Sequence, residues 1–307
     1  MTLSTLIGEP WSHYGLIDSG HGRKLERYGP YSFIRPEPQA MWRPSRPDWD
    51  ADGEFIPGSD VDRARRAPGT TADGRGPSAP DQGGGRWQFS RPVPREGWEM
   101  EWEDVRFRAQ CTPFRHLAFF PDMAPQWAWM RERLELEHEA MNLFGYTGVG
   151  TLAMSAAGAR LTHVDASKKS VEAGKENAAL SGMSDRPIRW MIDDAAKFAA
   201  REVRRGKRYD GIILDPPKFG RGPAGEVWKL EEGLPGLIAD CAKLLDAKSA
   251  FLVLTVYAVR MSALAIGELV RQALADLGGS VECGDMAVRE ETRGLLLPTA
   301  IFARWSR

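Results

Sequence analysis

Tyr209-Asp-Gly-Ile-Ile-Leu-Asp215-Pro216-Pro217-Lys218-Phe219-Gly220 is the stretch whose reading decides the fold. An apolar strand runs from Gly211 to Leu214 and stops at a carboxylate and two prolines. Paired prolines fix φ and remove two N–H donors, so the turn is stiff, with its carbonyls directed outward from the strand end. A surface turn seldom follows a strand this apolar, and the carboxylate belongs where strands of an open sheet emerge at the ligand edge.

Outward from this turn, from about Pro125 onward, apolar runs of strand length alternate with longer helical patterns. Strands are expected near His138 to Phe144, Leu161 to Val164, Ile188 to Ile192, Gly211 to Leu214 and Phe251 to Thr255. Helices are expected near Gln126 to Leu134, Gly148 to Ala157, Lys168 to Ser181, Ala195 to Arg205, Glu231 to Leu245 and Ser262 to Leu277. Ser280 to Val288 and Ala300 to Trp305 read as a closing strand pair. Stacked βα units with a terminal hairpin predict an α/β, doubly wound, Rossmann-like sheet carrying an antiparallel strand.

The first 100 residues are built differently, holding 14 of the 32 Gly and 12 of the 21 Pro. Eight of the eleven Trp lie before residue 130, so this part is not simply disordered; aromatics on turn-rich chain predict a small β module pinned by Trp anchors. The expected division is an N-terminal β module over 1–100 containing a mobile segment at 57–86, a linking segment and helix over 101–134, and a Rossmann-like domain over 135–307. Residues 57–86 have almost no large apolar side chain and reach a Gly triplet near their end.

The 307 residues carry 41 Lys and Arg against 42 Asp and Glu, so bulk charge gives no reason to expect a general nucleic-acid binder or a membrane-surface protein. Any polyanion site must be local. Three widely spaced cysteines, Cys111, Cys241 and Cys283, form neither a disulfide framework nor a metal knuckle, and no metal is expected. The first residues lack the order of a signal peptide, and no apolar run is long enough to span a bilayer. The expectation is a cytoplasmic chain without a membrane partner.

Three further motifs accompany the proline turn. Asn142-Leu-Phe144-Gly145-Tyr146-Thr147-Gly148-Val-Gly150 joins the first strand to the first helix, where glycines let backbone approach a ligand and the helix N-terminus offers free N–H groups. The spacing differs from the G-x-G-x-x-G of nicotinamide enzymes, and an ordinary tight turn is the plain alternative. Asp165, in Val164-Asp165-Ala166-Ser167, ends the second strand 20 residues beyond Gly145, where a carboxylate can accept both hydroxyls of a ribose. Capping the next helix is its alternative role, although Ser167 can do that. Asp193-Asp194 follows the third strand, where one carboxylate suits an adenine amino group, Asp194 by preference, and the other caps a helix.

With these residues in order, the chain from roughly 105 to 307 resembles the class I S-adenosylmethionine-dependent methyltransferases, specifically the bacterial large-subunit ribosomal RNA group with NLF-x-YTG, VD-x-S and DPP-[KT]-F signatures. The resemblance implies a seven-stranded class I methyltransferase sheet with an antiparallel terminal strand. It implies S-adenosylmethionine as cofactor and S-adenosylhomocysteine as product. It also implies that Phe144, Gly145, Tyr146, Thr147 and Gly148 surround the methionine, Asp165, Ala166 and Ser167 the ribose, and Asp194 or Asp193 the adenine. Asp215, Pro216, Pro217, Lys218 and Phe219 then form the methyl-transfer edge, and RNA, ribosomal by preference, is the expected partner.

Which atom is methylated turns on cysteine, because pyrimidine C5 becomes nucleophilic only after a thiolate adds to the ring. Similar enzymes of that type carry the cysteine after the fifth strand or beside the prolines, and both positions lack sulfur here. Cys241 sits among apolar helix positions, Cys283 lies in the late hairpin, and Cys111 borders the segment that leads to the cofactor. A base nitrogen is therefore the expected acceptor, either a ring nitrogen such as guanine N7 or an exocyclic amine whose proton a carboxylate such as Asp215 accepts.

Phe219 is a candidate to stack on a base or to plug the core. Lys218, Arg221 and Lys229 cluster after the turn, as a phosphate grip or as a solvated loop. The run Lys197, Arg201, Arg204, Arg205, Lys207 and Arg208 reads as the solvated end of a helix. Thr112 to Trp127 occupies the place of a segment folding over the cofactor; Arg115 is a candidate for the methionine carboxylate and His116 for the pocket. No RNA-binding module is legible before residue 100. The rival readings are a protein or small-molecule methyltransferase, a non-catalytic cofactor-binding assembly factor, and a nicotinamide dehydrogenase.

Overall fold

The computed structural model describes residues 1–58, 84–257 and 260–307. The mobile stretch expected at 57–86 lies for the most part outside the described residues. In chain order the strands are β1 (Thr2–Gly8), β2 (Tyr14–Gly20), β3 (Arg23–Tyr28), β4 (Tyr31–Pro36), β5 (Gly53–Pro57), β6 (Gly85–Phe89), β7 (Trp98–Trp102) and β8 (Val105–Ala109). Helix α1 (Ala124–Arg131) follows, then β9 (Glu139–Leu143), α2 (Val149–Ala156), β10 (Arg160–Asp165), α3 (Lys168–Leu180), β11 (Ile188–Ile192), α4 (Ala195–Arg204) and β12 (Gly211–Leu214). A short hairpin β13 (Phe219–Arg221) and β14 (Val227–Lys229) precedes α5 (Leu230–Lys243), β15 (Phe251–Tyr257), α6 (Ala263–Ala273), β16 (Ser280–Arg289) and β17 (Leu296–Ser306).

The large sheet has the order β1-β16-β17-β15-β12-β9-β10-β11, with β17 antiparallel to both β15 and β16. From β11 to β16 this is the expected seven-stranded doubly wound sheet with its antiparallel terminal strand. Its centre is apolar because helices cover both faces: every residue of β12 is buried, as are Phe251 to Val256 of β15. The eighth strand, β1, comes from the other end of the chain and pairs parallel with β16. It is not legible in the sequence, because an exposed edge strand written Thr-Leu-Ser-Thr-Leu carries little apolar signal and its partner lies some 280 residues away. Gly284 makes this pairing possible, since a Cβ there would meet the Ser4 carbonyl oxygen at 1.7 Å.

The N-terminal part forms a five-stranded sheet, β2-β3-β4-β5-β6, and a separate β7-β8 hairpin. Its tryptophans are the expected anchors. Trp98 donates to the Tyr28 carbonyl (2.9 Å), Trp87 to that of Thr112 (2.7 Å), Trp11 to that of Glu101 (2.9 Å) and Trp49 to the Asp18 carboxylate (2.8 Å). An indole placed this way buries a large apolar body and still satisfies its N–H. Tyr14, Tyr28, Phe33 and Phe107 continue through Phe119 and Trp127 into α2 as one hydrophobic cluster. The segment between β16 and β17 also grips this sheet, Arg293 pairing with Asp18 at 2.9 Å and Arg27 with Glu291 at 3.1 Å. The N-terminal sheet therefore stands over the edge where the parallel strands end.

Candidate functional site

Strand order reverses between β9 and β12, where Leu143 pairs with Leu214, and a crevice opens beyond the strand ends at such a point. The chain leaves β9 through Phe144, Gly145 and Tyr146. Phe144 and Tyr146 have φ of 59° and 48°, backbone that side-chain-bearing residues rarely adopt and that clusters at functional sites. Gly145 is required because a Cβ would lie 2.4 Å from the His163 ring. His163 is wholly buried and bonds Thr151 (2.9 Å), which receives the Asn142 amide (2.9 Å). Burial pushes the His163 imidazole down to about 3, so this chain under the loop is neutral. Thr147 donates to the Ala118 carbonyl, tying the loop to the segment above it.

Asp165 ends β10 with both oxygens engaged by backbone, accepting from Tyr146 N–H (2.9 Å) and Ser167 N–H (2.8 Å). Burial raises its carboxyl above the ordinary range, and those two donors oppose the shift. Ser167 caps α3 by accepting from Ser170 N–H, which leaves Asp165 to the loop and the cavity. The two acids after β11 divide. Asp193 is taken by Arg201 and by the Asp194 N–H, whereas Asp194 caps α4 through Lys197 N–H and also lines the cavity.

Asp215, Pro216 and Pro217 form the opposite wall. The Pro217 carbonyl does not stay free as its sequence suggests; Trp228 of β14 donates to it at 2.7 Å and packs its ring 5.2 Å from that of Phe144. The turn is held by this indole as well as by its prolines. Lys218 and Phe219 stand outside the cavity wall, with Phe219 exposed, while Arg221 lines it. Lys229 pairs with Glu232, Lys197 with Glu226 and Arg205 with Glu202, so these cations of the expected basic clusters are already engaged.

The cavity encloses about 540 Å³ and runs from Asp165 and Asp194, across Asp215, to the N-terminal sheet. That volume suits a nucleoside-sized ligand with space beyond it. Arg115 and His116 line it from the segment above, as their placement in the sequence suggests. His116 reaches the Tyr146 hydroxyl at 3.3 Å; burial, then the Arg35 and Arg115 charges, pull its imidazole down to about 4. It is a neutral partner at physiological pH.

The far wall holds residues that sequence reading missed: Lys24, Glu26, Arg35, Glu37, Asp122 and Tyr257. Arg35 donates to Glu26 (2.7 Å), and Tyr14 also donates to Glu26 (2.9 Å). Burial favours the neutral form of Glu26, but the Arg35 and Lys24 charges outweigh it, and its carboxyl lies below the ordinary range. Arg35 further donates to the Arg115 carbonyl (2.9 Å), linking this sheet to the segment over the crevice. The available signal was weak: Arg35 is the only charge in β4, but Lys24 and Glu26 sit in a strand that also carries Arg23 and Arg27.

Burial, then the Asp122 charge, raises the Asp215 carboxyl to about 8. Cys241 and Cys283 are buried in the core, and burial drives the Cys111 thiol up to about 12, the opposite of an activated nucleophile. Among the described residues no three His, Cys, Asp or Glu side chains are grouped as a metal ion requires, and no helix is long and apolar enough to cross a membrane.

Residues 79–247 match the family model described as S-adenosylmethionine-dependent methyltransferase. A solved S-adenosylmethionine-dependent methyltransferase from Agrobacterium tumefaciens is 40% identical, with a TM-score of 0.88 over 99% of this chain and 95% of its own. Another from Streptococcus mutans shares the fold at 13% identity, with a TM-score of 0.69 over 95% of this chain and 75% of its own. The protein named ribosomal RNA large subunit methyltransferase I from Alteromonas mediterranea is 32% identical over 82 residues, 26% of this chain and 21% of its own. Its namesake from Shewanella denitrificans is 35% identical over 80 residues, 26% of this chain and 20% of its own, so the match spans about a fifth of these curated relatives.

Proposed function

The chain belongs to the S-adenosylmethionine-dependent methyltransferase family, and on that premise we propose that it methylates a base nitrogen of RNA, ribosomal by preference, without a covalent cysteine intermediate. The observation that carries this reading is the single cavity that joins the strand-end acids to a second compartment beyond Asp215.

The residues fit the cofactor. Asp165 lines the main cavity at the end of β10, and a smaller recess of about 50 Å³ lies over the start of α2 among Gly145, Thr147 and Gly148. Free N–H groups of a helix start suit a carboxylate there. In this reading Phe144, Gly145, Tyr146, Thr147 and Gly148 hold the methionine, with Arg115 and His116 closing over it. Asp165, Ala166 and Ser167 hold the ribose, and Asp194 holds the adenine amino group; Asp193 keeps α4 in place through Arg201. When bound, S-adenosylmethionine supplies an electrophilic methyl group on a sulfonium.

The chain's own work is then to orient and to exclude water. In-line displacement needs the acceptor atom roughly 3 to 3.5 Å from the methyl carbon. The Asp215 to Pro217 turn, stiffened by two prolines and the Trp228 bond, supplies a fixed wall for that approach. Lys218 and Phe219 flank its mouth, where Phe219 offers an exposed ring for base stacking. An amine-bearing protein or small molecule is the second reading. It is favoured by one observation: Glu26, Glu37, Asp122, Asp165, Asp194 and Asp215 line the cavity against Lys24, Arg35, Arg115 and Arg221.

Replacing Cys111, Cys241 and Cys283 together by Ser is expected to leave methyl transfer within a few-fold of the parent in protein that remains folded. Complete loss, with a trapped covalent RNA adduct in the parent, would reinstate a cytosine C5 mechanism. The reading itself is tested by mass spectrometry of ribosomal RNA nucleosides from a deletion strain and its parent. One methylated base is expected to disappear and to return on treatment with purified protein and cofactor; identical nucleoside profiles would overturn it.

A further inference from the structure

We propose that Asp122 is a catalytic residue on the acceptor side of the cavity, receiving a hydrogen bond from an amino N–H of the acceptor and taking that proton as the methyl group arrives. This rests on the reading above and narrows it, since the acceptor must then be an exocyclic amino nitrogen rather than a ring nitrogen such as guanine N7.

Asp122 follows Phe119-Phe120-Pro121 and lines the cavity while only 5% exposed. Its Oδ2 has no hydrogen-bond partner among the described residues, nor does the hydroxyl of Tyr257. Tyr257 and Thr299 approach closely enough to ease its ionisation, but neither closes a bond of good geometry. A buried carboxylate left this way costs free energy in the free protein, a pattern expected where a ligand supplies the missing donor. Five groups face Asp122: the Asp215 carboxyl, the Tyr28, Tyr257 and Thr299 hydroxyls, and the Lys24 ammonium. Lys24 is already shared between Glu26 (3.6 Å) and Glu37 (3.5 Å).

Burial raises the Asp122 carboxyl, and its charge in turn helps raise Asp215. Two like charges in one cavity resist double ionisation, which favours one carboxyl beside one carboxylate, and the unpartnered Oδ2 of Asp122 is the oxygen placed to receive a proton. What this part of the cavity lacks is a donor for the unpartnered Asp122 oxygen. A ring nitrogen, which approaches with a lone pair and no proton, cannot supply it; an amino group has two N–H to give. In the step, the amino lone pair forms the N–CH3 bond and the C–S bond breaks with its electrons going to sulfur. The N–H proton passes to Asp122, leaving a secondary amine, S-adenosylhomocysteine and a neutral carboxyl.

The test uses the full chain, S-adenosylmethionine labelled in the methyl group, and an extract of a deletion strain resolved into RNA, protein and small-molecule fractions, with mass spectrometry of each to locate the label. Label on an exocyclic amino nitrogen is expected. Asp122→Asn and Asp122→Ser, shown folded by circular dichroism, are expected to lower kcat by about 10²- to 10⁴-fold, the usual size of general-base catalysis. They should keep their affinity for S-adenosylhomocysteine within threefold by calorimetry and lose the rise of kcat with pH. Label on a ring nitrogen, or wild-type kcat in both variants, would overturn the assignment. Label confined to amino groups of the protein or small-molecule fraction of the same extract, and lost in both variants, would remove RNA as substrate while leaving the role of Asp122 standing.

Discussion

Asp165→Ala is expected to weaken S-adenosylmethionine binding by more than tenfold. The side chain acts on both sides of the cofactor site at once. Its oxygens hold the N–H groups of Tyr146 and Ser167, and so fix both the loop after β9 and the start of α3. Without it both segments lose the bonds that hold them in place, and the proposed ribose contacts go as well; a hydrogen bond to a charged group contributes about 1.5–3 kcal/mol, and about 1.4 kcal/mol is a factor of ten in affinity. Calorimetric titration with S-adenosylhomocysteine measures the effect, and an unchanged dissociation constant would remove Asp165 from the ribose site.

Arg35→Met is expected to destabilise the protein by about 3–5 kcal/mol, the usual cost of stripping one partner from a buried ion pair. Glu26 is 1% exposed and would keep only Lys24, 3.6 Å away, as its neighbouring cation. The contribution from ionised Glu26 is present above the ordinary glutamate range and is lost as pH falls through its depressed value, so the defect should shrink in acid. Adding Glu26→Gln should recover much of the loss, because the uncompensated charge goes with it. Urea unfolding at pH 7 reads both variants as midpoint shifts. A loss under about 1 kcal/mol in the single variant would mean that Lys24 alone neutralises Glu26. Arg35→Met also removes the bond to the Arg115 carbonyl, so cofactor affinity should fall with stability.

The parallel sheet was legible because each of its strands carries its own signal. Ile188–Ile192 and Gly211–Leu214 lie where the apolar runs predict them, and the Ser167 cap was written in local spacing, whereas the cap of α4 falls to Asp194 and not, as the sequence suggested, to Asp193. The strand-end residues that line the cavity, Phe144, Tyr146, Asp165, Asp194 and Asp215, were legible for the same reason, since each follows its own strand. What was not legible depends on long-range pairing. β1 joins a strand some 280 residues away, Trp228 meets the Pro217 carbonyl only once the β13-β14 hairpin folds back, and Asp193 is drawn off by Arg201 through the pitch of α4.

The proline turn after β12 named the ligand edge by itself, because a stiff acidic turn after an apolar strand is a local property of twelve residues. Cysteine positions likewise bore directly on the expected acceptor, and the burial of Cys241 and Cys283 with the raised thiol of half-buried Cys111 strengthens the case against a thiolate mechanism. The far end of the cavity, proposed to take the acceptor, was decided only by tertiary structure. Lys24, Glu26 and Arg35 come from strands before residue 40, Asp122 from the segment between the sheets and Tyr257 from the end of β15. No spacing rule relates such positions; a shared low-dielectric cavity does, and it turns an unremarkable aspartate into a carboxylate without a partner facing Asp215.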